Sequence, residues 1–101
     1  MYGQVPGNER FTGNDDLGRT GNPKRVFFVS MESEASTAGV LYLKDGTSTG
    51  ADTFATLIGN AGSGNIFDLG GNGIRFPNGC FVQVGRTSGV TYAVIVYQEE
   101  Q

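Results

Sequence analysis

The 101-residue sequence contains no histidine, no tryptophan and a single cysteine. Without histidine, neither a serine–histidine–acid triad nor a cysteine–histidine pair can be built. The same absence makes a zinc site unexpected. One cysteine excludes an internal disulfide, and Cys80 sits in an apolar run, CFV, where it reads as a small core hydrophobe. No stretch approaches the ~20 apolar residues needed to span a bilayer. Met1 is followed by polar residues and glycine, so no secretory leader is expected. Seven Lys plus Arg stand against ten Asp plus Glu, and no basic run exceeds Lys24-Arg25. Binding nucleic acid by neutralising phosphates is therefore not expected.

Other catalytic templates also lack parts. GNAGSG (59–64) opens like a phosphate-binding loop, but Asn65-Ile66 stands where Lys followed by Ser or Thr is required. Read as a dinucleotide fingerprint, GSGNIFDLGG places Phe67 at the third glycine. The acid pairs Asp15-Asp16 and Glu99-Glu100 lie in an N-terminal segment and a C-terminal tail and read as solvated charge. The remaining aspartates are scattered without calcium-loop spacing. The expectation is a non-enzyme with no cofactor and no metal.

Glycine, by contrast, is abundant, at 17 residues. Residues 1–24 hold five of them, with three Asn, two Pro and only five apolar side chains (Met1, Tyr2, Val5, Phe11, Leu17). Alone, such a segment cannot offset its ordering entropy, so an extended N-terminal arm is expected over 1–24. From residue 25 the pattern changes. RVFFVSM (25–31), GVLYLKDG (39–46), TFATLIG (53–59), NIFDLG (65–70), GIRF (73–76), CFVQVG (80–85) and VTYAVIVYQ (90–98) are β-branched or aromatic runs. Turn-forming NAGSG, GGNG, PNG and RTSG punctuate them, while ESEASTAG (32–39) reads as a loop. In TFATLIG, Phe54 and Leu57 cannot share one face of a perfect alternation, which a bulge or a one-sided strand starting at Thr56 would resolve. An all-β domain over 25–101 is expected, an antiparallel β-sandwich or jelly-roll-like barrel of about seven strands.

Roughly 75 residues form a marginal single core, so association is the expected route to stability. Phe27, Val29, Tyr42, Tyr92 and Tyr97 are the candidates for packing against another subunit. In the arm, Phe11 and Leu17 are the candidate anchors, and Arg10, Arg19, Lys24 and Arg25 could pair with an acidic partner surface.

GVLYLKDGTSTGADTFATLIG and GGNGIRFPNGCFVQVGRTSGVTYAVIVYQ together carry a resemblance. They are similar to small virion proteins of tailed bacteriophages, over roughly residues 26–98. Leu43, Asp45, Gly46, Thr47, Ser48, Gly73, Ile74, Arg75, Phe76, Asn78, Gly79, Val82, Val84, Val94, Val96 and Tyr97 carry the likeness. It implies a β-sandwich that decorates or cements a capsid, located on the virion surface after synthesis in the host cytoplasm. The implied partners are copies of itself (a trimer favoured) and the major capsid protein, with no nucleic acid and no membrane. The alternative is a small sugar- or receptor-binding β module on a phage tail or fibre.

Overall fold

The structure, a computed structural model, describes residues 4–84 and 89–100, the side chains of 4–6 excepted. The first three residues of the expected arm and residues 86–88 of the expected RTSG turn lie outside the described residues. The described residues form nine strands: β1 (Gln4–Phe11), β2 (Asp15–Asp16), β3 (Lys24–Ser33), β4 (Gly39–Asp45), β5 (Asp52–Gly59), β6 (Gly64–Asp68), β7 (Ile74–Phe76), β8 (Cys80–Val84) and β9 (Val90–Glu100). The seven runs read from the sequence between 25 and 98 each correspond to one of them.

All described strand pairs are antiparallel, in two sheets. The first has the order β1-β9-β3-β6, with β7 beside β6 along the same edge of β3; the second has the order β2-β8-β4-β5. Taking β6 and β7 as one interrupted strand, β1 pairs with β9, β2 with β8, β3 with β6–β7, and β4 with β5. That is one long antiparallel ribbon folded at the β4–β5 turn. Rolled up, it brings β9 beside β3 and β8 beside β4, which is the jelly-roll topology.

Period-two alternation decides what is buried. The first sheet contributes Val26, Val29, Met31, Ala93 and Ile95 to the core, and the second contributes Leu41, Leu43, Leu57, Cys80 and Val82. Along β3 the inward parity changes from Val26 to Val29, because the register against β9 shifts between Val26 and Phe28. Phe27 is the extra residue of this bulge. A second register shift, opposite Leu43-Lys44, leaves Phe54 without a β4 partner, as the spacing of Phe54 and Leu57 requires. Phe54 stacks on buried Phe76 with ring centroids 5.3 Å apart.

The N-terminal segment is where structure and sequence reading part. β1 pairs with β9 along its whole length, from Gln4 opposite Glu100 to Phe11 opposite Ala93. Asp15 and Asp16 pair with β8, and the Leu17 N–H donates to the Cys80 carbonyl at 2.8 Å. Phe11 and Leu17 are buried in the core, not exposed as anchors. A segment too polar to collapse alone can still add to an existing sheet, since the ladder needs main-chain groups only.

Candidate functional site

The turns at one end of the sandwich are tied together around a buried cation. Lys24, the first residue of β3, is fully buried. Its Nζ donates to the Arg19 and Asn22 carbonyls and lies 3.4 Å from Glu99 Oε1. That carboxylate oxygen also accepts the Arg19 N–H at 2.7 Å. Burial pushes the Glu99 carboxyl up, but the Arg19 N–H and the Lys24 ammonium outweigh it and hold the group below its ordinary value. Gly18, with φ of +59°, has no room for a Cβ because Glu99 Oε1 and Lys24 Cε occupy that space. The cluster fixes the β2–β3 loop, and Lys24 is therefore not available to an acidic partner. Arg19 remains largely exposed, with Nε 3.8 Å from Glu99 Oε2.

A pH dependence follows. A carboxyl whose folded value lies below its unfolded value stabilises the fold above that unfolded value, near 4.5. The contribution is lost as pH falls through the folded value. The melting temperature is expected to fall as pH drops from about 5 to about 3, and Glu99→Gln to flatten that fall. Glu100 is also depressed, by its hydrogen bond from Arg75, but this pair is exposed and contributes little. A thermal melt series across that range checks both statements.

At the same end, two segments that carry the sequence resemblance meet. Asp45 Oδ1 accepts the Asn78 N–H at 2.9 Å, and Asp45 Oδ2 accepts the Asn78 side-chain amide at 2.8 Å. The Gly46 N–H donates to the Gly79 carbonyl at 2.9 Å. Gly79, with φ of +97°, lies against the Gly21 backbone. The DG and PNG motifs thus lock adjacent turns to one another, a structural role. Cys80 begins the next strand, and burial pushes its thiol up to about 12, far from a reactive thiolate.

Among the described residues, an exposed apolar area lies on the outer face of the β1-β9-β3-β6 sheet. Phe28 and Val96 are directly opposed across β3 and β9 and are each about two-fifths exposed, at 43% and 41%. Ile66 on β6 is 77% exposed, and Val94 and Tyr92 on β9 continue the same face. Arg10 on β1 lies over the Tyr92 ring, 4.7 Å from its centroid. Ser30 on β3 lies between Val94 and Ile66 on this face, Glu32 stands opposite Tyr92, and Asp68 borders Phe28 on β6. The candidate interface residues do not form one surface. Val29 is in the core, Tyr97 packs inward beside Gly7, and Tyr42 faces outward on the other sheet, with Lys44 over its ring. Only Tyr92 and Phe27 belong to the apolar face or its margin. Phe28, Ile66 and Val96 were not among the interface candidates read from the sequence; for Phe28 the missing signal is the parity change that the Phe27 bulge imposes.

Beyond the apolar rows, toward the termini, this face gives way to a shallow open hollow of about 530 Å³. Arg25, Phe27, Gly71, Asn72 and Gln98 line it. Arg25, expected in the arm's basic set, belongs instead to β3, and one of its guanidinium nitrogens donates to the Asn72 carbonyl at 2.8 Å. Among the described residues no group of three or more acid, cysteine or histidine side chains is placed to hold a metal. No described helix is long and apolar enough to cross a membrane. Compared with known protein families and with curated proteins, the chain matches none.

Proposed function

We propose that this chain is a non-enzymatic structural protein of a bacteriophage virion, a jelly-roll module that decorates or cements the capsid. The observation that carries the reading is the exposed apolar face built from Phe28, Ile66, Val94 and Val96. β9 lies at the centre of its sheet, yet its outward side chains have no covering layer within the described chain. Contiguous exposed apolar area, rimmed by polar groups such as Arg10, Glu32 and Asp68, marks a protein contact surface. Its occupants in this reading are further copies of the chain, closing a symmetric oligomer, and the major capsid protein beneath. Repetition over a shell makes modest individual contacts collectively tight. The resemblance of residues 26–98 to small virion proteins of tailed phages supports the reading, and so does the jelly-roll topology, which recurs in viral coat domains.

Phe28→Asp with Ile66→Asp tests the face. Both side chains are partly solvated, so the folded monomer is expected to lose less than about 1 kcal/mol. Light scattering after size exclusion is expected to show an oligomer for the natural chain and a monomer for the double variant. An unchanged mass would remove this face from the reading. The hollow beside Phe27 favours a second reading, a receptor- or sugar-binding module of a tail or fibre.

A further inference from the structure

We infer that the hollow formed by Arg25, Phe27, Gly71, Asn72 and Gln98 is a binding site for a pyranose ring. The hollow is a product of deliberate backbone geometry. The bulge in β3 sets Phe27 out of the regular alternation, on the side of Arg25 and Gln98. The β6–β7 loop is then fastened against it: the Leu69 N–H donates to the Phe27 carbonyl at 2.9 Å, and the Gly73 N–H closes a turn on the Gly70 carbonyl at 3.1 Å. Gly73 has φ of +67°, and a Cβ there would collide with the Val26 carbonyl and approach Phe27 Cδ1 to 3.0 Å. Gly71, in contrast, has open space where a side chain would stand, so the backbone itself forms part of the wall.

The lining matches what a sugar offers. A pyranose presents one face of polarised C–H groups and a rim of vicinal hydroxyls, each both donor and acceptor. The C–H face packs on the negative face of an aromatic ring, the role of Phe27. The rim is met by planar groups with paired hydrogen-bonding atoms, here the Asn72 and Gln98 amides and the Arg25 guanidinium. Arg25 is pre-oriented by its bond to the Asn72 carbonyl, which lowers the ordering cost of binding. The volume, about 530 Å³, accommodates one ring with its bound water and leaves the chain free to extend into solvent. The inference concerns the isolated chain and does not rest on the capsid reading.

The test is an amide-resolved NMR titration of the full chain with methyl α-glucopyranoside, methyl α-mannopyranoside and methyl β-galactopyranoside, with glycerol as the additive control. At least one glycoside is expected to shift the amides of Arg25, Phe27, Gly71, Asn72 and Gly73, with a Kd on the order of millimolar. Asn72→Ala with Gln98→Ala is expected to weaken that binding at least tenfold while leaving the remaining spectrum in place. Phe27→Ala is expected to abolish it, and the amide double variant covers the case in which Phe27→Ala fails to fold. The proposal is overturned if none of the three glycosides shifts these amides, if glycerol shifts them equally, or if the double variant binds as tightly as the natural chain.

Discussion

Lys24→Ala is expected to destabilise the protein by about 3–5 kcal/mol, the usual consequence of removing one partner from a buried ion pair. The substitution strands three groups at once. Glu99 keeps a largely buried carboxylate without its cation, and the carbonyls of Arg19 and Asn22 lose their donor. Lys24→Met, which preserves volume, restores packing but supplies no donor, so most of the loss remains. Lys24→Ala combined with Glu99→Ala is expected to lose less than the sum of the two single changes, because neither then leaves the other unpaired. Urea unfolding at neutral pH reads the natural chain and the four variants, Glu99→Ala included, on one scale. A Lys24→Ala midpoint equal to that of the natural chain would show that the cluster is no more than a surface ion pair.

Leu17→Ala comes next in expected effect, at about 2–5 kcal/mol for a wholly buried leucine. It separates two views of the N-terminal segment. On a free arm, Leu17 would be silent in unfolding. In the structure it is buried together with Phe11, and its N–H caps the Cys80 carbonyl at 2.8 Å. Deleting residues 1–17 is therefore expected to abolish cooperative unfolding. It removes β1 and β2, strips the outer edge of β9, and opens the core at both side chains. Domains of this size hold only about 5–15 kcal/mol in total. A truncated chain that melts as the full one does would restore the arm.

The strands from 25 to 98 were legible because each combines β-branched or aromatic residues with glycine-rich punctuation, and because no competing helical period exists. The two N-terminal strands were not. The inward positions described on β1 are Gly7, Glu9 and Phe11, one apolar side chain among three. Glu9 earns its inward place by accepting the Gly18 N–H at 2.9 Å, a contact nine residues away that composition cannot announce. RVFFVSM looked apolar on both faces for a similar reason. The Phe27 bulge shifts the parity, so Val26, Val29 and Met31 share the core while Phe28 faces out. A buried lysine is equally opaque to pattern reading, since it depends on two loop carbonyls and a glutamate 75 positions further along the chain. The hollow depends on a loop meeting a bulge 47 residues apart, through Arg25 and the Asn72 carbonyl.

The most direct test of the proposed capsid role is to raise antibodies against the purified chain and apply them to intact virus particles recovered from the source of the sequence. Gold label examined by electron microscopy is expected over the whole capsid shell, at a regular density. Stripping the chain itself from the particles is expected to lower the temperature at which the shells release DNA. Absence of the chain from purified particles would contradict the capsid role outright. Label confined to the tail tip or fibres would contradict it as well, and would move the sugar-binding module into its place.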